Sequence, residues 1–381
     1  MQAARLITDG RNASLLAVLL ALAVSALVPS TAAAQAPSFG VHSQAISDFE
    51  ADRMARGGVR STRMTFKWSR VQPLEDGPYD WTFYDRLMAR TASHGIDVLP
   101  IIIGSPDYAA PLGSQQPTSK EDKRRFETFV TALVARYGNN GSFWRANPSR
   151  PAVPVRAWQV WNEPNLRNFW LPRPRPRSYV RFLDSTRDAI RRADPNAAIV
   201  LAGMPETKRS LPMSEFLRRM YQVKGFKRLV DAVAVHSYST DAQGVLAVAK
   251  KQRRVMRKAG DSKTPIWITE LGWGSDGPAG HPLVKTEAVQ ASLLKQAFGL
   301  LRANAERLSL QRVYWYDFRD LNVAPGTPDA FFHHTGLFER DRTPKPAWAA
   351  FTSFVGGSPG SGAIPPNTTD LGLNGLLEDL P

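Results

Sequence analysis

AWQVWNEP, residues 157–164, is a run of apolar and aromatic residues that stops abruptly on Asn162, Glu163 and Pro164. The run has the length and composition of a buried strand, and the proline forbids its continuation. Downstream, SYVRFLDSTRDAIRRA from residue 178 spaces its apolar residues at helical intervals, with Ser178 as a plausible cap. Seven further stretches read as strands: FGVH at 39, STRMTFKW at 61, VLPIII at 98, AIVLAG at 198, AVAVHSY at 232, PIWITE at 265 and RVYWYDF at 312. Amphipathic segments lie between them, among them KEDKRRFETFVTALVARY from 120 and EAVQASLLKQAFGLLRANA from 287. Eight strands alternating with helices predict an α/β chain folded as a (β/α)8 TIM barrel. A doubly wound open sheet is the competing architecture, but no glycine-rich phosphate loop follows the first strand.

The ends of the chain read differently. Residues 1–36 combine Arg5 and Arg11 with an apolar run from Leu15 to Val28 and small residues at 32–36, the pattern of an export signal cleaved after Ala36 or Ala34. An uncleaved membrane anchor is the alternative, although the run is short for a span. Residues 37–355 form the expected catalytic domain, and 356–381 a Gly/Ser/Pro linker with an acidic tail, expected to be disordered. The chain has no cysteine, which removes disulfides and thiol chemistry, and its six histidines lack HExxH-type spacing. Neither a metal nor a cofactor is expected. A formal charge of +15 favours anionic surfaces in general, including nucleic acid, acidic polysaccharide and cell envelopes.

In a barrel the C-terminal ends of the strands converge on one pocket, so the polar residues that close apolar strands are the candidates for chemistry. Glu163 closes the fourth strand and Glu270 the seventh. Two carboxylates facing each other across a cleft are what glycoside hydrolysis requires: one protonates the leaving oxygen, and the other attacks the anomeric carbon or activates water.

WQVWNEPNLRNFW, HSY, WITELGW, VYWYDF and GLFERDRTPKPAW, in that order over residues 39–354, resemble the motifs of a clan A glycoside hydrolase, closest to family 39 with family 5 as a relative. The resemblance implies retaining chemistry, with Glu163 as acid/base and Glu270 as nucleophile. It implies that Arg63 and Tyr238 donate to Glu270, that Asn162 binds the sugar 2-hydroxyl, and that Trp315 is an aromatic platform under the sugar. His236 is expected to hold this network in register. His42 and Trp68, at the ends of the first two strands, are further candidates for sugar contact. Trp158, Trp161 and Trp170 are expected to bury Glu163 and to help keep it protonated. Lys67, Tyr108 and Gln159 depart from the family pattern, which leaves the sugar open.

LPRPRPRSY then sets Arg173, Arg175 and Arg177 on the loop after the fourth strand, where alternating prolines should keep the segment extended along the cleft. Arginine forks suit carboxylates, sulfates and phosphates, so an acidic glycan is one reading and a solubilising rim the other. A second basic run, KKQRRVMRK from 250, belongs to a crossover helix outside the barrel, as a solvated face or an envelope contact. The expected function is a secreted retaining β-glycosidase acting on a polysaccharide or exopolysaccharide, with no obligate protein partner. A barrel that binds glycan or envelope without cutting is the alternative, and nucleic-acid binding rests on charge alone.

Overall fold

The computed structural model describes residues 36–110 and 115–365. The expected export signal, apart from Ala36, and the acidic tail beyond residue 365 lie outside the described residues. Among the described residues eight strands are present: β1 (Ser38–His42), β2 (Ser61–Lys67), β3 (Asp97–Ile103), β4 (Ala157–Val160), β5 (Ala198–Leu201), β6 (Val233–His236), β7 (Ile266–Leu271) and β8 (Leu310–Trp315). All pair in parallel, in the order β5-β4-β3-β2-β1-β8-β7-β6. The remaining seam, between β5 and β6, is bridged at Val200–Ala232 and Pro205–His236, which brings the sheet to near closure.

The crossover helices begin where side chains satisfy their first free amides. Ser119 caps Lys120–Tyr137, Asp241 caps Ala242–Lys258 and Thr286 caps Glu287–Ala303, each accepting a backbone N–H. The helix after β4 differs from expectation. It starts at Pro176 with no side-chain cap, two residues before Ser178, because proline at the first helical position already has the right φ and lacks the amide that would need a partner.

Two apolar cores follow from the alternation of side chains along each strand. Leu99, Ala157, Val200, Ala234, Trp267 and Tyr314 fill the barrel interior. The other face of each strand packs against the helices, where Trp158, Val160, Ile268 and Val313 join a much larger cluster. Among the described residues no helix is long and apolar enough to cross a membrane.

The first part of the expected C-terminal linker is ordered against the barrel. Arg53 donates to the carbonyls of Pro359, Ser361 and Gly362, Trp348 Nε1 donates to Pro359 O at 2.8 Å, and Ile364 is buried. Its carbonyls supply the partners that buried Arg53 needs, so a flexible composition is pinned by hydrogen bonds.

Candidate active site

Arg63 is the hub of the pocket. It is fully buried on β2, beside His42 in the β1 register, and it donates in three directions: Nε to Gln159 Oε1 at 2.9 Å, Nη1 to Glu270 Oε1 at 2.7 Å and Nη2 to Asn162 Oδ1 at 2.9 Å. Glu270 on β7 also accepts from Tyr238 OH at 2.8 Å. Two donors on one carboxylate fix its orientation. Tyr238 is held as the neutral phenol, pushed well above its ordinary range by burial first and by the charge of Glu270 second.

Glu163 is positioned by unusual backbone. Trp161 and Glu163 have φ of 71° and 42°, in the left-handed region that side-chain-bearing residues seldom adopt. Anchors on both sides hold the turn. Glu163 N donates to Gly203 O at 3.1 Å, Trp161 Nε1 to Phe169 O at 2.9 Å and Gln159 Nε2 to Trp161 O at 3.0 Å. Its carboxylate meets His236 Nδ1 at 2.6 Å, while His236 Nε2 lies 3.3 Å from Glu270 Oε1. Burial raises the Glu163 carboxyl to about 7, with Arg63 opposing. Burial also drives His236 down to about 3, against the pull of Glu270. The imidazole is therefore neutral and Glu163 carries its proton near neutral pH.

The structure thus brings Glu163, Glu270, Arg63, Asn162, His236 and Tyr238 together, as the sequence suggested. His42 joins at the edge: it is buried, its Nδ1 lies 3.1 Å from Asp317 Oδ2, and its ring stands 4.8 Å from that of Tyr316. Two aromatic candidates fall elsewhere. Trp315 is fully buried, donates to Thr335 O at 2.9 Å and packs on Trp273 and Phe298, so it faces the helices and forms no platform for sugar. Alternation on β8 sends the next residue, Tyr316, to the pocket side. Burial first, and then the charges of Asp317, Glu270 and Glu163 against that of Arg63, hold its hydroxyl well above the usual phenol range. Trp68 opens the short helix Trp68–Val71, fully buried among Tyr108, Phe126 and Phe129, with Nε1 on Gln72. It is core, for the same reason of facing.

Trp161 and Trp170 likewise pack outward on Phe182, beneath the helix that follows β4. They brace the loop from behind. Arg173 and Arg175 are exposed ahead of that helix, whereas Arg177 lies inside its first turn, which corrects the expectation of one extended arginine run. None of the three has an ion-pair partner among the described residues. His333 and His334 both turn toward Asp329, at 3.6 and 2.8 Å, as a loop clasp.

Sequence reasoning missed Tyr316 and Gly203. Gly203 follows β5, and a Cβ there would stand 2.1 Å from His236 Nε2, so the imidazole can reach Glu163 only because this residue is glycine. Nothing in AIVLAG signals that. Glu163, His236 and Glu270 each offer one donor atom, all within 4.8 Å of one another. On spacing alone they could hold a metal ion; Arg63 donates to Glu270 Oε1, and His236 Nδ1 lies against Glu163 Oε1.

A carboxylic acid and a donor-held carboxylate a few ångströms apart at a barrel mouth form an arrangement with relatives. A β-galactosidase family model matches residues 41–119, and a glycosyl hydrolase catalytic core model matches residues 116–336. A β-xylosidase of Geobacillus stearothermophilus is 23% identical over 305 residues, 72% of this chain but 56% of its own length, so the chain spans little more than half of that relative. Among solved structures, a family 39 glycoside hydrolase from the gut symbiont Bacteroides cellulosilyticus superposes with a TM-score of 0.60 at 20% identity, covering 84% of this chain and 64% of that one. A GH5_18 protein from Bifidobacterium longum gives 0.59 at 16% identity, covering 87% and 81%. Those two similarities attest the fold. Because the core model spans more than half of the sequence, from before β4 to beyond β8 with both carboxylates inside it, the chain belongs to the glycosyl hydrolase catalytic core family.

Proposed function

We propose that this protein is an exported glycosidase that cleaves β-linked polysaccharide with retention of configuration. The observation that carries the reading is the pair itself: oxygens of Glu163 and Glu270 lie within 4.8 Å, one carboxyl protonated near neutral pH and the other held by Arg63 and Tyr238. Carboxyl groups about 5–5.5 Å apart suit direct attack, whereas about 6.5–9.5 Å leaves room for a water. In this reading Glu163 gives its proton to the glycosidic oxygen as Glu270 attacks the anomeric carbon. Water, deprotonated by Glu163, then releases the sugar from Glu270. Asn162, whose Oδ1 is taken by Arg63, turns its amide hydrogens to the 2-hydroxyl. NMR of the first product tests this: the β anomer is expected, and initial α product would reassign Glu270 as a base.

The β-xylosidase relative supports a β-linked substrate, and the basic leader pattern supports export. Exposed Arg173 and Arg175 on the β4 loop support a polymer bearing carboxylate or sulfate groups, and the +15 chain supports contact with an anionic envelope. Arg173→Ala/Arg175→Ala should raise KM for an acidic polysaccharide and leave a neutral one unchanged. Equal effects on both would remove the acidic reading.

A further inference from the structure

A basic groove lies at the opposite end of the barrel from the catalytic pocket. Lys250, Arg253, Arg254, Arg257 and Lys258 recur at helical spacing along one face of Ala242–Lys258, and Arg307 faces them from the short helix Ala305–Leu308. Together they line a cavity of about 430 Å³ that contains no acidic side chain. Its place in the fold is set by Arg253, which is 2% exposed and donates to the carbonyls of Ser262, Thr264 and Leu308, just ahead of β7 and β8. The groove therefore lies at the N-terminal ends of these strands, whereas the carboxylate pair lies at the C-terminal ends.

The helix alone gives no reason for this pattern. Cations in the last turn complement the helix dipole, which accounts for Arg257 and Lys258. Lys250 and Arg254 stand earlier, and the pairs 250/254, 253/257 and 254/258 are like charges four residues apart, a destabilising arrangement. Among the described residues no carboxylate pairs with Lys250, Arg254, Lys258 or Arg307. Beneath them, buried Arg253 hydrogen-bonds to backbone carbonyls and feels the charge of nearby Asp261, which offsets part of its own, so the groove's field rests on the exposed cations above it.

We propose that this groove binds an acidic polysaccharide, holding one segment of the polymer by its carboxylate or sulfate groups while another segment enters the catalytic cleft. No aromatic side chain lines the groove, so neither a nucleobase nor a sugar face has a stacking surface there, and recognition falls to the charged substituents. The choice of polymer rests on the glycan reading of the cleft; the site itself does not.

The test measures binding of the full chain to polygalacturonate by calorimetry, in an Arg173→Ala/Arg175→Ala background that silences the mouth, with a neutral β-glucan and a 20-base-pair DNA duplex as comparison ligands. Arg254→Ala/Lys258→Ala and Arg254→Glu/Lys258→Glu should weaken polygalacturonate binding at least tenfold, more for the Glu pair, with turnover of a small aryl β-glycoside unchanged. Affinity within twofold of the parent, or tighter binding of the duplex than of polygalacturonate at equal salt, would overturn the proposal. Because binding is read without hydrolysis, a chain that binds but does not cleave would sink the catalytic reading alone.

Discussion

Glu270 and Glu163 are the same residue a few ångströms apart, and the chain treats them oppositely. Glu270 sits within β7, where the register shifts against both neighbouring strands, and receives two donors, Arg63 and Tyr238. Glu163 sits on a left-handed turn beyond its strand and meets one neutral imidazole, so burial decides and the proton stays. Role follows from neighbours, and Arg63 is the neighbour that separates them: it touches Glu270 directly but reaches Glu163 only through space.

Erasing either side of this contrast should give the largest effects. Glu163→Gln is expected to lower kcat by roughly 10²–10⁴-fold, the range for a general acid. Under the retaining mechanism proposed above, Glu270→Gln should lose more, since that mechanism needs its carboxylate to form the covalent intermediate. Steady-state kinetics on an aryl β-glycoside checks both, and near-parental rates in either would refute the assignment. Next comes Arg63→Met, which leaves Glu270 buried without its cation. A loss of about 3–5 kcal/mol in folding free energy is expected from chemical denaturation.

The proton on Glu163 gives a third test. Its folded-state affinity lies near pH 7 instead of the ordinary 4.5, so its contribution favours the folded state at low pH and is lost as pH rises from about 4.5 to 7. The total is roughly 3 kcal/mol at about 1.4 kcal/mol per pH unit. His236, pushed down to about 3, runs the other way over about pH 3–6.5 and offsets much of that fall. Glu163→Gln removes one of the two opposing slopes. The variant should therefore gain stability relative to the parent as pH rises to 8, despite its lost activity; denaturation midpoints at pH 4.5 and 8 that shift in parallel would contradict this. The smallest effect is reserved for Gly203→Ala, where the new methyl must displace His236 at a cost of about 1–3 kcal/mol. The bell of kcat against pH should move on its alkaline side if the imidazole helps to set the Glu163 proton, whereas a purely structural role would lower Tm alone.

The barrel was legible because each of its eight strands is a short apolar run bounded by turn residues or helical periodicity, and the acids were legible because they close two of those runs. The facing of aromatic residues was not. Whether Trp315 or Tyr316 enters the pocket depends on a one-residue phase along β8, and either ring suits either environment. Gly203 was silent for a different reason. The demand on it comes from His236 on a neighbouring strand, and pairwise crowding between distant segments leaves no local mark. The arginines after β4 were half legible: their exposure followed from charge, but Pro176 began the helix earlier than the serine cap suggested.

The turn that carries Glu163 bears on transplanting this chemistry. Copying Asn162, Glu163 and Pro164 onto the end of a strand in another barrel would reproduce the letters without the conformation. The positive φ values at Trp161 and Glu163 are held by Gly203 O on one side and Phe169 O on the other, and the supporting tryptophans dock on a helix that belongs to this chain. The portable unit is the loop together with its seat, from β4 through Phe182 and across to Gly203.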